Sequence, residues 1–127
     1  MPFPDGNLWG AELVIQSSQV DADQTNFALL LTEANLPIAM LDTTSGQACA
    51  VGGGDLRAYL EDGQVTRYAL DVVSCVPGVG GGTAEIHVCV PYVSGALPTT
   101  LYLYWGGGGS QPAVDAPYGR DETWPGH

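Results

Sequence analysis

Basic residues are the scarcest class in this chain, which has 3 Lys and Arg side chains against 14 Asp and Glu side chains in 127 residues. The formal net charge at pH 7 is therefore -11. A nucleic-acid backbone and an anionic membrane surface both repel a protein of this charge. We expect neither nucleic acid nor membrane among its partners.

Long apolar runs are also missing. No stretch approaches the ~20 consecutive apolar residues of a membrane-spanning helix. The N-terminal sequence MPFPDGNLWG has neither the basic region nor the apolar region of a secretory leader. We therefore expect the chain to be made in the cytoplasm.

Cysteine is rare, and the three cysteines form no recognisable pattern. Cys49, Cys75 and Cys89 are odd in number and lack Cys-x-x-Cys spacing, so neither a disulfide framework nor a zinc ribbon is indicated. His87 and Cys89 face the same side of a predicted strand, but tetrahedral zinc needs four ligands, and His127 and Cys75 complete no motif. We expect reduced thiols and no metal site.

Patterns typical of catalysis are missing as well. The glycine runs GGGD, GVGGG and GGGGS precede no predicted helix and carry no lysine for a phosphate, and the chain has no GxSxG motif. Its acidic residues lie mostly in predicted turns, where Asx hydrogen bonds explain them. DAD in SSQVDADQT is only part of a calcium loop, which leaves calcium as an open alternative. We expect no enzymatic activity and no cofactor.

The sequence does contain short segments with strand character, separated by 18 glycines and 9 prolines. They predict an all-β fold, a single antiparallel β-sandwich (jelly-roll-like) of about six to eight strands with long glycine-rich loops. One domain is expected over 1–127, with 1–8 and 118–127 as extended terminal arms that become ordered against a partner. The six principal predicted strands are Glu12–Gln16, Asn26–Thr32, Asp55–Leu60, Thr66–Val73, Thr83–Val90 and Thr99–Trp105.

The patterns also predict how the strands pair and which faces they bury. The first two strands are expected to pair across SSQVDADQT, and the next two to form a hairpin through the Asp-Gly turn at 61–64. The apolar run Asn26–Thr32 predicts burial on both faces, whereas Ile38–Val51 predicts a long loop after a helical turn at Glu33–Asn35. Alternation places Ala84, Ile86, Val88, Val90, Leu101, Leu103 and Trp105 in the core, and Tyr102 and Tyr104 on the outer or half-covered side.

Five segments in order carry a family resemblance: VDADQTNFALLLT, GGGDLRAYL, TRYALDVVSC, GTAEIHVCVPYVSG and TTLYLYWGGGGSQPAVDAPYGRDETW. Together they resemble a β-sandwich family, catalogued only as a domain of unknown function, that occurs in tailed-phage virion proteins and bacterial surface proteins. The resemblance runs from about Trp9 to Trp124 and is strongest in the closing aromatic strand and terminal Trp. The chain departs from the family near His87 and Cys89, and at Ala28, where the family has proline.

The resemblance implies a part of a virion. Many family members continue into a lectin-like sandwich, whereas this chain stops at His127, so a small module standing alone is expected. That favours a capsid decoration or cement protein, made in the host cytoplasm and bound to the major capsid protein or another virion protein. A homotrimer would suit three-fold sites. The alternative is a tail or baseplate adaptor, or a carbohydrate- or receptor-binding module.

Aromatic side chains are the candidate interface residues, because they exceed what one small core easily hides. Tyr and Trp are enriched at protein interfaces and also form carbohydrate platforms. We favour a protein interface, and the alternative that several rings cap the ends of the sandwich stays open. The candidates are Trp9, Tyr92, Tyr102, Tyr104, Tyr118 and Trp124.

Overall fold

Two antiparallel sheets make up the fold in the computed structural model, which describes residues 7–16, 22–60, 67–107, 109–111, 118–119 and 123. One sheet has the strand order β1-β7-β3-β4 and the other the order β2-β6-β5. The expected all-β sandwich is therefore confirmed. The elements are β1 (Trp9–Ile15), β2 (Gln24–Thr32), α1 (Ile38–Leu41), β3 (Arg57–Leu60), β4 (Arg67–Tyr68), β5 (Leu70–Val76), β6 (Thr83–Val93) and β7 (Thr99–Trp105).

The core lies between the sheets and follows the predicted alternation. Ala84, Ile86, Val88 and Val90 of β6 are buried, and Leu101, Leu103 and Trp105 of β7 face them from the other sheet. Burying each large side chain of this kind contributes about 1.5–3 kcal/mol. The core prediction for these two strands is confirmed.

The predicted pairing of the first two strands is wrong. β1 pairs with β7, so that Trp9 lies opposite Trp105, while β2 pairs with β6 in the other sheet. The chain thus changes sheets between β1 and β2. Each strand is an edge of its sheet, and the inward side chains of both close the same core.

The predicted hairpin is only half correct. β4 pairs with β3, as expected, and Ala58 lies opposite Tyr68. After Ala69, however, the chain enters the second sheet as β5, which pairs with β6. Tyr68 and Leu70 are both buried, yet they approach the core from different sheets. The predicted turn at 61–64 lies outside the described residues.

β2 is buried on one face only, which contradicts the expectation for its apolar run. Its register with β6 turns Phe27, Leu29 and Leu31 toward the core. Leu30 points outward and is 46% exposed. A continuous apolar run is typical of strands covered on both sides, but the outer face of β2 is largely open to solvent at Leu30.

Residues 33–56 contain little regular structure apart from α1. The long loop predicted over Ile38–Val51 begins with this helix, so that prediction is only partly correct. Asn35 N and Leu36 N both donate to Thr32 O at 3.0 Å, so a turn does follow β2. The four-residue helix α1 comes after Pro37, and it forms because Met40 and Leu41 are buried in the core. Within the described ranges, no helix has the length and apolar character needed to cross a membrane.

A β-bulge in β5 reverses the alternation of its side chains. Val72 lies opposite Ile86, but Ser74 rather than Val73 lies opposite Glu85. The extra residue leaves Val73 and Ser74 both exposed and turns Cys75 toward the core. This reversal places the Cys75 thiol beside the 42–56 loop.

Candidate functional site

Three tyrosines form a cluster on the outer face of the first sheet. The register between β3 and β7 sets Tyr59 opposite Tyr102, on the face opposite to the buried Ala58 and Leu103. The ring centroids of Tyr59 and Tyr104 are 6.0 Å apart, edge to face, and those of Tyr102 and Tyr104 are 6.3 Å apart, stacked. Tyr102 Oη donates to Glu12 Oε2 at 3.1 Å.

Tyr104 is only 6% exposed, so its expected exposure is wrong. The reason is Gly10, which lies opposite Tyr104 on β1. A Cβ atom at Gly10 would be 2.7 Å from Tyr104 Cδ1, so the ring lies against a position without a side chain. Burial raises the pKa of the Tyr104 phenol. Tyr102 is half-buried, as predicted.

Two buried charged residues hold the glycine-rich exit from β7 against the sandwich. The Asp55 carboxylate accepts from Gly106 N at 2.7 Å and from Ala50 N at 3.2 Å. The Arg57 guanidinium donates to Gly54 O at 2.8 Å and to Ser110 O at 2.8 Å. Both side chains are buried, and these contacts give them a structural role.

The described residues of the predicted terminal arms contact the sandwich. The Asn7 amide donates to Asp55 O at 2.9 Å and accepts from Gly107 N at 2.7 Å. In the C-terminal segment, Tyr118 O accepts from Leu70 N of β5 at 3.3 Å, and Thr123, which is fully buried, donates to Gly119 O at 3.3 Å. The rest of 1–8 and 118–127 lies outside the described residues.

Trp9 and Tyr118 lie apart from the tyrosine cluster. Trp9 is half-buried on the core side of β1, with its ring beneath Gly106. Tyr118 is exposed near β4, at the opposite edge of the first sheet, where the Arg67 guanidinium lies 5.1 Å from its ring centroid. Trp124 lies outside the described residues. The five candidates that the structure describes therefore do not form one surface.

Tyr92 marks a separate apolar groove, which we call the Tyr92 groove. It lies where β6 ends and the 94–98 turn leads into β7, and its volume is about 390 Å³. Tyr92 is 53% exposed and Leu97 is 68% exposed. The groove is lined by Leu60, Tyr68, Pro91, Tyr92, Ser94, Leu97, Pro98 and Thr99.

Hydrogen bonds fix the mouth of the Tyr92 groove. The Asp23 carboxylate accepts from Gly95 N at 2.8 Å and hydrogen-bonds the Tyr92 phenol. The Gly95 bond and the phenol together lower the pKa of Asp23, and the same carboxylate raises the pKa of Tyr92. Ser94 Oγ accepts from Leu97 N at 3.0 Å. The turn thus presents Tyr92 and Leu97 in a fixed arrangement beside an acidic group.

Metal-ligating side chains form no evident metal site in the part of the chain that the structure describes. No group of three or more His, Cys, Asp or Glu residues in that part is arranged to hold a metal ion. His87 and Cys89 share a face of β6 as predicted, and His87 Nε2 lies 3.0 Å from Glu85 Oε2. Cys75 lies on the core side of β5, away from that face.

The sequence did not predict four features of these surfaces. They are the place of Tyr59 in the tyrosine cluster, the places of Leu60 and Leu97 in the Tyr92 groove, and the role of Asp23. A signal for Leu97 exists, because SGALP places a leucine inside a Gly- and Pro-bounded turn, where an apolar side chain has no core to enter. Alternation along DLRAYL also puts Tyr59 on the outer face. No local pattern signals Asp23, since Gly95 is 72 residues away along the chain.

Comparison with protein-family models, curated proteins and solved structures gave no match for this chain.

Proposed function

We propose that this chain is a non-enzymatic structural protein of a tailed-phage virion, a decoration or cement protein that binds the outer capsid shell through the Tyr92 groove. The sequence resemblance to a family of virion proteins supports the setting. The observation that carries the binding role is the exposure of Tyr92 and Leu97 together at one end of a rigid sandwich. Contiguous apolar exposure of this kind marks interaction surfaces.

The construction of the groove suits a protein partner. Asp23 and Ser94 hold the turn in place, so little conformational freedom is lost on binding. The groove is lined mostly by apolar side chains, and the Asp23 carboxylate hydrogen-bonds the phenol of Tyr92, one of the lining residues. The complementary surface is an apolar side chain flanked by basic residues on the major capsid protein.

The stabilising effect follows from copy number. A single apolar contact of this size is weak, but a shell offers many equivalent sites, and a ligand that binds only the assembled state stabilises it. A trimer placed at three-fold positions would bring three grooves to one junction.

The test combines imaging with a binding variant. Cryo-EM of gradient-purified particles should give density for this chain repeated over the icosahedral shell, with the 94–98 turn against the capsid. Leu97→Asp should reduce co-sedimentation of the purified chain with particles that lack it by at least ~10-fold, because a charge would be buried in the groove.

Val79→Asp is the matched control. Val79 is also exposed, but it lies at the opposite end of β6, and its variant should bind like wild type. Equal binding by the Leu97 and Val79 variants would reject the groove as the docking surface. Density confined to the tail would reject the decoration role in favour of an adaptor.

A carbohydrate-binding module of a phage tail is the second candidate. The specific observation is the hydrogen bond between the Asp23 carboxylate and the exposed Tyr92 phenol, since an aromatic ring and an acceptor for hydroxyl groups together suit a sugar. A glycan array with wild type and Tyr92→Ala separates the two functions. A hit lost in the variant would support carbohydrate binding, whereas no hit would leave the capsid as the partner.

A further inference from the structure

Two buried thiols face each other where the loop after α1 meets β5. Cys49 Sγ and Cys75 Sγ are 3.2 Å apart, although the residues are 26 positions apart in the chain. Their side chains are 5% and 1% exposed. The proposed function uses neither residue, and the chemistry of this thiol pair does not depend on it.

Backbone contacts hold both partners of this pair. Cys49 N donates to Met40 O at 2.9 Å, and Gly52 N donates to Cys75 O at 2.8 Å. Gly53 turns the loop against β5 with φ of +68°, and a Cβ atom there would be 3.2 Å from Cys75 Cβ. The loop is thus fixed directly over the inward-facing Cys75.

One thiol donates a hydrogen bond to the other across this contact, and either sulfur can be the donor. With Cys49 as the donor, the bond lowers the pKa of Cys75, and the same bond and burial raise the pKa of Cys49. Thiolate character decides which sulfur attacks an oxidant. The accepting cysteine is therefore the first nucleophile and the donating cysteine is the resolving thiol.

We propose that Cys49 and Cys75 are a disulfide-forming pair that a peroxide oxidises. The thiolate of the accepting cysteine attacks one peroxide oxygen, the O–O bond breaks, and a sulfenic acid and hydroxide form. The other cysteine then loses its proton and attacks the sulfenic sulfur, which expels the sulfenic oxygen as hydroxide. Those hydroxides take up the thiol protons, so two thiols and one hydrogen peroxide give one disulfide and two water molecules.

The bond needs only a small movement. The sulfurs must close from 3.2 Å to about 2.05 Å. The bond would fasten the 42–56 loop to β5 and shorten the unfolded chain across β3 and β4, which we expect to raise Tm by on the order of 10 °C. A reducing compartment keeps the thiols apart, and an oxidising one joins them.

The experiment starts from the full chain purified with reductant, which is removed before hydrogen peroxide is added. Intact mass should fall by two hydrogen atoms, and peptide mapping should join the Cys49 and Cys75 peptides. Titratable thiols in denaturant should fall from three to one. Dithiothreitol should reverse these changes and the rise in Tm.

Cys89 provides the matched control, because it is the third buried cysteine and lies outside the pair. Cys89→Ser should form the bond and Cys75→Ser should not. A cross-link through Cys89, a cross-link between chains, or sulfinic acid without a cross-link would overturn the proposal. Should Cys75→Ser fail to fold, the wild-type peptide map decides by itself.

Discussion

Two glycines in this protein are important because they have no side chain, which leaves space for an aromatic ring. Gly10 has no side chain, and the Tyr104 ring occupies the space where a Cβ atom would be. Gly106 has φ of +98°, and a Cβ atom there would collide with the Trp9 ring. Each of these glycines therefore lets an aromatic ring lie close to the backbone.

Gly10→Ala should destabilise the protein by about 1–3 kcal/mol, because the new methyl group overlaps Tyr104 Cδ1 and Cε1. Urea unfolding of the variant measures the loss. In the background of Tyr104→Ala the same substitution should cost clearly less, since the ring it displaces is gone. Equal costs in the two backgrounds would mean that Tyr104 does not depend on Gly10.

Among the elements, the edge strand β2 shows how register decides burial. Leu30 and Leu31 are identical neighbours in sequence, yet Leu31 is 3% exposed and Leu30 is 46% exposed. The register with β6 sets Leu31 opposite Ile86, whose side chain faces the core, and Leu30 opposite His87, whose side chain is on the other face of the sheet. The register therefore decides which of the two leucines is buried.

Leu31→Ala should cost about 2–5 kcal/mol, whereas Leu30→Ala should stay within about 1 kcal/mol of wild type. The two variants remove the same atoms from adjacent positions, so each is the control for the other. The urea midpoints of both compare them directly. A larger loss at Leu30 than at Leu31 would contradict the register.

Two carboxylates link the ends of neighbouring elements. Glu33, after β2, accepts from Ala84 N at 3.0 Å at the start of β6. Asp42, after α1, accepts from Thr44 Oγ1 at 2.6 Å and from Gly80 N at 3.0 Å. The backbone bond from Ala84 lowers the pKa of Glu33, and the Thr44 hydroxyl lowers the pKa of Asp42.

These shifts predict a loss of stability in acid. In the folded protein both groups have pKa values below their ordinary values of 4.5 and 3.8, so the unfolded chain takes up protons first as pH falls. Their contribution is present above those values and is lost as pH falls through the folded pKa values. Urea unfolding should show Glu33→Gln less stable than wild type at neutral pH and equal to it in strong acid. A difference that persists in strong acid would assign the effect to something other than the charge.

The molecule as a whole presents an almost purely acidic surface. Of its basic residues, Arg57 is buried in backbone hydrogen bonds, and the Arg67 guanidinium lies over Tyr118. With a net charge of -11, the chain is drawn to basic partners and repelled by copies of itself at low salt.

Binding to the proposed capsid partner should therefore depend on ionic strength. Raising salt from about 0.05 M to about 0.5 M shortens the screening length from roughly 14 Å to roughly 4 Å and should weaken binding several-fold. Co-sedimentation across a salt series measures the dependence. Unchanged binding over the whole series would show that the apolar contact acts alone.

Sequence patterns were sufficient to predict the all-β class and the core faces of β6 and β7, because alternating side chains on a strand must separate into two faces. Leu97 also lies in a Gly- and Pro-bounded turn of the sequence, but only the tertiary structure places it in the Tyr92 groove. Local patterns fail where partners are distant. The sheet that a strand joins depends on pairing between residues far apart in the chain. Because β1 pairs with β7 and β2 pairs with β6, these two consecutive strands lie in different sheets.

The groove and the thiol pair, by contrast, arise from tertiary contacts. Asp23 meets Gly95 and Tyr92 through the approach of two loops, and no spacing in the chain encodes it. Cys75 faces Cys49 because one extra residue in β5 reverses the alternation. Tyr104 is buried because a glycine lies opposite it on another strand. In each case the decisive neighbour is distant in sequence, so its effect exists only once the two sheets have assembled.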